Sequence, residues 1–143
     1  MICVDTSFLI SYYGTDVNTP AAKQCFGSRT QPLLVHCINE FEFDNALRAL
    51  VFRGKISAVE RAAWWNNYEV DKRAGIIVEA IVVADAVISH GTILARNYTE
   101  TLGNRAFDIL HVAAAKVLGA TEFWSFDGRQ RALAAAEGLT VGP

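Results

Sequence analysis

Apolar and polar residues follow one another along the chain in blocks that predict short buried strands separated by helices. The first block, Ile2–Val4, is apolar, partly β-branched and followed by polar residues, which is typical of a buried strand. Similar short runs lie at residues 33–35, 76–78, 122–126 and 139–141. Because these runs alternate with helical segments, the sequence predicts an α/β domain with a mainly parallel central sheet and helices on both faces.

Capping residues and three- to four-residue apolar spacing mark the helices. Thr19 and Pro20 supply a cap and a first-turn proline for one helix, and Ser57 with Glu60 forms a capping-box sequence for another. An Ala-rich segment, residues 107–118, is apolar on most sides, which predicts a central buried helix. Further helices are predicted around residues 43–50, 82–94 and 128–137, with a loop at residues 99–105.

The chain has 143 residues, of which 52% are hydrophobic, and this suits one compact domain spanning residues 1–143. Three cysteines, Cys3, Cys25 and Cys37, form no even framework, and apolar neighbours predict that Cys3 and Cys37 are buried thiols. The start of the chain lacks a basic leader, and no apolar stretch approaches the roughly 20 residues that span a bilayer. We therefore expect a cytoplasmic protein with no membrane partner.

Carboxylates stand where the predicted strands end and where helices begin. Asp5 and Asp127 each follow a strand, Asp108 opens the Ala-rich helix, and Glu40 and Glu42 open the helix after the second strand. The carboxyl ends of parallel strands meet at one edge, where ligands bind. Acids gathered there repel one another unless a cation intervenes. Oxygen ligands without a Cys/His cluster favour Mg²⁺ or Mn²⁺, which activate water and stabilise phosphoryl charge.

Each of these acids also has an ordinary structural interpretation. Asp5 can be a turn residue, Asp127 can cap a helix, and Glu42 or Asp108 can be a first-turn acid favoured by the helix dipole. His111, three residues after Asp108, is either a packed histidine or a catalytic base on the same helix face. The joint placement of the acids, more than any single one, indicates a functional site.

Four segments resemble PIN-domain proteins, and within that family they most resemble the VapC-like ribonuclease toxins of toxin–antitoxin pairs. The segments are VDTSFL at 4–9, EFDNALR at 42–48, RAFDILHVAA at 105–114 and WSFD at 124–127, the last followed by Gly138 and Leu139. They occur in the family's order over essentially the whole chain. The resemblance implies a single PIN-like domain with a three-layer α/β/α fold.

The resemblance implies a Mg²⁺- or Mn²⁺-dependent endoribonuclease toxin that hydrolyses RNA, such as tRNA or rRNA, through metal-activated water. It also implies a homodimer that a cognate antitoxin protein holds inactive. Asp5, Glu42, Asp108 and Asp127 match the family's four acids and would be both the catalytic residues and the metal ligands, with Asp5 and Asp108 the most direct. Glu42 is preferred to Glu40 because the residues that follow it match the family.

Other residues near these motifs carry weaker expectations. Thr6 and Ser125 match hydroxyl positions beside the first and fourth acids, where they would orient ligands or water. Apolar residues of the early helices, around Phe41, Phe52 and Trp64, would serve the dimer or the antitoxin, or they would simply pack in the core.

The charge balance modifies the nucleic-acid expectation. Thirteen basic and fifteen acidic residues give a formal net charge of -2, so the chain as a whole is not basic. Once the four candidate acids are set aside, eleven acidic residues remain against the thirteen basic ones. Arg105 and other arginines would then either contact phosphates from a mildly basic surround or simply form a solvated surface.

Two other functions remain open at this point. The chain would be a catalytically weak PIN-fold binding module that associates with a protein or RNA partner. Alternatively, it would be a phosphatase with Asp5 as the nucleophile, although Ser7 stands where such enzymes carry a second aspartate.

Overall fold

The computed structural model describes all 143 residues and contains five strands and seven helices. The strands are β1 (Ile2–Val4), β2 (Leu33–Val35), β3 (Ile77–Glu79), β4 (Glu122–Trp124) and β5 (Thr140–Gly142). The helices are α1 (Thr6–Tyr13), α2 (Thr19–Ser28), α3 (Cys37–Phe52), α4 (Ala58–Arg73), α5 (Ala84–Leu102), α6 (Ala106–Val117) and α7 (Gly128–Ala136).

The five strands form one sheet in the order β3-β2-β1-β4-β5, and every pairing is parallel. The first strand lies at the centre, where Cys3 pairs with Leu34 on one side and with Phe123 on the other. The expectation of a parallel sheet is thus confirmed. Because β1 and β4 are neighbours, the residues that follow them meet at one sheet edge.

Successive residues of the central strand serve opposite faces of the sheet, as strand geometry requires. Ile2 and Val4 belong to an apolar cluster of 14 buried residues, into which α1, α2, α3 and α4 project. Cys3 belongs to a second cluster of 12 buried residues, which α5, α6 and α7 cover. The predicted three-layer α/β/α architecture is confirmed.

Helix α1 was not expected from the sequence pattern. Asp5 is its N-cap, since the carboxylate accepts a hydrogen bond from the Phe8 amide at 2.9 Å. Phe8, Leu9 and Tyr13 then lie buried against the first cluster. The two polar residues after Asp5 suggested only a strand end, whereas the helix begins with them.

Helix α5 is longer than its sequence pattern suggested, and the loop expected at residues 99–105 is wrong in its first half. The helix continues to Leu102, because Tyr98 and Leu102 pack against the second apolar cluster. It ends at Gly103, whose φ of 65° is a left-handed conformation that favours glycine. Although α5 has 19 residues, neither it nor any other helix is long and apolar enough to cross a membrane.

The thiols differ in exposure. Cys3 is buried in the sheet, and burial raises its pKa to about 12. Cys37, expected to be buried, is exposed, because it opens α3 and lies on the outer face of its first turn. Its neighbour Ile38, in contrast, packs against the second apolar cluster.

Candidate active site

The candidate acids surround the crevice between β1 and β4. Asp5 directly follows β1, and Asp127 lies just beyond β4 as the N-cap of α7. The chain passes from β1 to one face of the sheet and from β4 to the other, so the two connections diverge. Ligands bind in such crevices in open parallel sheets. Glu42 on α3 and Asp108 on α6 approach from the two helical layers.

Asp5 is fully buried and receives only neutral hydrogen-bond donors. Its Oδ1 accepts from the Phe8 amide at 2.9 Å and from the Ser7 hydroxyl at 2.7 Å, and its Oδ2 accepts from the Ser125 hydroxyl at 2.9 Å. Burial raises the pKa of Asp5 above its ordinary value of 3.8, and these hydrogen bonds only partly oppose the rise. The ionised carboxylate is therefore costly to hold in the fold.

Two serine hydroxyls tie this carboxylate to the loop after β4. Ser7 Oγ accepts from the Phe126 amide at 2.8 Å, and it lies 3.4 Å from Ser125 Oγ. Ser125 Oγ accepts from the Asp127 amide at 2.9 Å while donating to Asp5. The backbone that carries the fourth acid is thus held against the first acid.

Glu42 lies half-buried between α1 and α6. Its Oε2 accepts a hydrogen bond from the Thr6 hydroxyl and lies 2.6 Å from Nε2 of His111. Partial burial acts to raise the pKa of Glu42, but the hydrogen bonds from His111 and Thr6, with the charge of Arg105 nearby, hold it below its ordinary value. Glu42 is therefore a carboxylate at neutral pH.

Glu40 faces a different part of the molecule. It accepts hydrogen bonds from the Tyr68 hydroxyl at 2.7 Å and from Lys72, which also lies 3.2 Å from Glu79. These four residues, Glu40, Tyr68, Lys72 and Glu79, form a group that we call the lysine cluster. Of the two glutamates at the start of α3, the structure places Glu42 in contact with Thr6 of the candidate site and Glu40 in the lysine cluster.

Arg105 joins the two remaining acids. Its backbone amide donates to Asp108 Oδ2 at 2.8 Å, and its guanidinium lies 3.3 Å from Asp108 Oδ1 and 3.6 Å from Asp127 Oδ2. Gln130 Nε2 lies 3.4 Å from the same Asp108 oxygen. Asp127 meanwhile accepts from the amides at the start of α7, as a helix cap does. A single exposed arginine is therefore the only cation paired with these two acids.

The four acids differ in access to solvent. Asp5 and Asp108, expected to be the most direct metal ligands, are 0% and 2% exposed, whereas the Glu42 and Asp127 side chains are 31% and 22% exposed. We call the four, Asp5, Glu42, Asp108 and Asp127, the acidic site. A ligand that reaches this site from solvent meets Glu42, Asp127 and Arg105 first.

The chemistry of the acidic site fits a hard divalent ion, but its arrangement is not a formed metal centre. Four carboxylates are the oxygen donors that Mg²⁺ and Mn²⁺ prefer. No group of three or more His, Cys, Asp or Glu side chains lies close enough together to hold a metal ion. Instead, serines hold both oxygens of Asp5 and Arg105 contacts both oxygens of Asp108.

Two contributors to this geometry, Ser7 and Asn39, were missed in the sequence. Ser7 has no site role among the sequence-based expectations, although it stands two residues from Asp5, where a short polar side chain commonly bonds the preceding carboxylate. Asn39 contacts His111 and stands three residues before Glu42, so the two share one face of α3. That spacing could have drawn attention to it.

Comparison with known proteins identifies the fold family. The family model of the PIN domain matches residues 2–136. Among curated proteins, none matches the sequence significantly.

Solved structures show the same fold at low sequence identity. VapC20 of Mycobacterium tuberculosis, a Sarcin-Ricin loop cleaving toxin, superposes with a TM-score of 0.72 at 20% identity over 100% of both chains. FitAcB of Neisseria gonorrhoeae gives a TM-score of 0.64 at 16% identity, covering 100% of this chain and 97% of that one. PAE2754 of Pyrobaculum aerophilum gives 0.61 at 16% identity, covering 98% and 82%. The PIN-domain resemblance of the four segments is thus confirmed, and the chain belongs to the PIN-domain family.

Proposed function

We propose that this chain is a single-domain, Mg²⁺- or Mn²⁺-dependent endoribonuclease that acts as the toxin of a toxin–antitoxin pair. The observation that supports the proposal is that Asp5, Glu42, Asp108 and Asp127 stand around the β1/β4 crevice of a PIN fold, each on a different element. The structural similarity to VapC20, itself an RNA-cleaving toxin, supports RNA as the substrate. Eleven acidic and thirteen basic residues outside the site leave a mildly basic surround for it.

The side chains have distinct roles in this proposal. A divalent ion held by the acidic site would stabilise charge on the phosphoryl group and favour an activated water. Arg105, 65% exposed, is placed to meet a phosphate of the RNA once it releases Asp108. Thr6 and Ser125 hold Glu42 and Asp5 in orientation. Hydrolysis joins the water oxygen to phosphorus and breaks one P–O bond, so no side-chain nucleophile is needed.

The enclosure of Asp5 argues against the phosphatase alternative. An aspartyl nucleophile must present a free oxygen to phosphorus, whereas Asp5 is 0% exposed and accepts hydrogen bonds on both oxygens. An assay for an acid-stable, hydroxylamine-sensitive phosphoryl-enzyme should therefore be negative.

A matched pair of variants on one helix tests the nuclease assignment. Glu42→Gln should abolish Mn²⁺-dependent cleavage of cellular RNA, and Glu40→Gln should retain it, because the two side chains differ in their contacts and not in their chemistry. Asp108→Asn should behave as Glu42→Gln does. Sequencing of the new RNA ends measures the cleavage, and equal activity of Glu42→Gln and wild-type protein would refute the assignment.

The binding-module alternative predicts a different result from the same preparations. Calorimetric titration with Mn²⁺, run beside the cleavage assay, separates the two functions. Metal binding with no cleavage of any cellular RNA would favour the module, whereas binding and cleavage lost together in Glu42→Gln support the nuclease.

An antitoxin protein is the proposed partner, as in toxin–antitoxin pairs. Phe52 is 92% exposed, so core packing does not account for it. Nearby, a groove of about 420 Å³ is lined by apolar Ile10 and Leu50 together with Arg53 and Lys55. Expression of the chain alone should arrest growth, and co-expression with a small neighbouring reading frame should restore it. Restoration equally by an unrelated small protein would count against a cognate partner.

A homodimer is proposed on the same family basis. Phe41 is 63% exposed, which leaves apolar surface near the acidic site for a second copy. Size-exclusion chromatography with light scattering should give twice the chain mass of 15.7 kDa at micromolar concentration. A strict monomer under those conditions would remove the dimer from the proposal.

A further inference from the structure

Two side chains behind the acidic site, Asn39 and His111, form a continuous hydrogen-bonded chain from the central strand to Glu42. Asn39 Nδ2 donates to the Val4 carbonyl at 2.9 Å and lies 3.0 Å from His111 Nδ1. His111 Nε2 lies 2.6 Å from Glu42 Oε2. Asn39 and the His111 side chain are both 0% exposed, so water does not compete for these contacts.

The contacts of Asn39 determine which nitrogen of His111 carries the proton. Asn39 Oδ1 accepts from the His36 amide at 3.0 Å, so its NH₂ group must face Val4 and His111. Nδ1 of His111 consequently accepts a hydrogen bond and has no proton. A neutral imidazole then has its single proton on Nε2, where it donates to Glu42.

The neighbouring histidine does not disturb this arrangement. The ring of His36 lies 5.6 Å from that of His111. Burial lowers the pKa of His36 to about 3, so His36 is neutral at physiological pH. It therefore adds no positive charge beside His111.

Both donors to Glu42 act on one oxygen. Thr6 and His111 each bond Oε2, and neither contacts Oε1. The carboxylate is thus anchored on one side while its other oxygen is left for a ligand. A carboxylate held in this way cannot rotate freely, which is the function that outer hydrogen-bond partners have in metal and phosphate sites.

We infer that Asn39 and His111 are positioning residues, which hold His111 as its Nε2–H tautomer and thereby orient Glu42 with Oε1 available to the ligand of the acidic site. The inference rests on the proposed function for the identity of that ligand. It also assigns a role to His111 other than general base, since one ring nitrogen already donates to Glu42 and the other already accepts from Asn39. His111 does not contact the reacting atoms.

The tautomer can be measured on the whole chain without any activity assay. Long-range ¹H–¹⁵N correlation spectra of the wild-type protein should show His111 with a protonated Nε2 and an unprotonated Nδ1. A protonated Nδ1 with a bare Nε2 would overturn the inference whatever the protein cleaves. If the tautomer is as expected but the wild-type protein neither binds Mn²⁺ nor cleaves RNA, the proposed function fails and the arrangement of Asn39 and His111 stands.

A pair of His111 variants tests the consequence for Glu42. His111→Gln can keep an N–H near the Nε2 position, whereas His111→Leu cannot. We expect His111→Leu to lower kcat and Mn²⁺ affinity by about 10–100-fold, the range typical of outer partners, with KM for RNA little changed. His111→Gln should recover most of the loss. Equal losses in both variants, with both proteins folded, would show that the ring only fills space and would refute the positioning role.

Asn39 supplies an independent test of the same chain of contacts. Asn39→Asp keeps the size of the side chain but replaces the donor NH₂ with an acceptor, so Nδ1 of His111 should become protonated in the same spectra. Cleavage should fall as in His111→Leu. An unchanged His111 tautomer in a folded Asn39→Asp protein would contradict the inference.

Discussion

Two groups of carboxylates lie at the same edge of the sheet and are held in opposite ways. In the lysine cluster, near the ends of β2 and β3, Lys72 contacts both Glu40 and Glu79. Although partial burial acts to lower it, the hydrogen bonds to the two glutamates raise the pKa of Lys72. In the acidic site, at the ends of β1 and β4, Asp5 receives only serine hydroxyls and one amide.

The difference between the two groups indicates what each is for. An acid matched by a largely buried cation is already neutralised, and removing either partner destabilises the fold because it leaves the other charge uncompensated. The acidic site gathers four carboxylates with one exposed arginine, so it keeps negative charge that a ligand cation can neutralise. The comparison predicts that changes in the acidic site affect activity first and that changes in the lysine cluster affect stability first.

The largest effect is expected for Asp5→Asn, which should change activity and stability in opposite directions. Asp5→Asn keeps a side chain that can still cap α1, but it removes the buried charge whose cost the raised pKa reports. We expect RNA cleavage to fall by at least about 100-fold, while the protein becomes more stable at pH 7 because the variant no longer buries an ionised carboxylate. Chemical denaturation beside the cleavage assay measures both.

The difference in stability between Asp5→Asn and the wild-type protein should also depend on pH. Because the pKa of Asp5 is raised in the fold, ionisation of Asp5 lowers the free energy of unfolding of the wild-type protein at pH values above that pKa. Below 3.8, Asp5 is protonated in the folded and the unfolded chain alike, and this loss of stability disappears. The advantage of Asp5→Asn should therefore shrink as pH falls from 7 towards 4. If Asp5→Asn were less stable than the wild-type protein at pH 7, Asp5 would stabilise the fold, and the contrast between the acidic site and the lysine cluster would be wrong.

An intermediate effect is expected in the lysine cluster. Glu40→Gln keeps an acceptor for the Tyr68 hydroxyl but removes the charge that faces Lys72. Because these side chains are 23% and 21% exposed, we expect a loss of about 1 kcal/mol in the free energy of unfolding. Cleavage by the folded protein should be unchanged, and a loss of activity without a loss of stability would place Glu40 in the site instead.

The smallest effect is expected at Arg105. Arg105 is itself 65% exposed and its charge is screened by water, so each of its pairs with Asp108 and Asp127 is worth no more than about 1 kcal/mol. Arg105→Gln should tighten Mn²⁺ binding by up to about fivefold and raise KM for RNA, with little change in stability. Arg48→Gln, which removes an exposed pair with Asp44, is the matched control. Weaker Mn²⁺ binding by Arg105→Gln alone would show that Arg105 supports the ion and does not compete with it.

Much of the fold could be predicted because its signals are local. Short apolar runs fall on all five strands, and the capping box at Ser57 and Glu60 starts α4 as expected. Helix α1 was not predicted, because its polar first turn follows the strand directly and its cap, Asp5, was also a candidate catalytic residue. The C-terminal part of α5 was missed because Tyr98 and Leu102 are stabilised by a distant cluster and not by their polar neighbours.

The sequence by itself determined the strand–helix alternation and, through it, which acids stand at the carboxyl edge of the sheet. Only the tertiary structure decided how those acids are held. Glu40 and Glu42 are two residues apart on α3, yet one meets Lys72 and the other meets His111. The reason is that Lys72 is 32 residues away from Glu40 in the sequence and His111 is 69 residues away from Glu42. The packing of α4 and α6 brings these partners close, and no local spacing encodes such contacts.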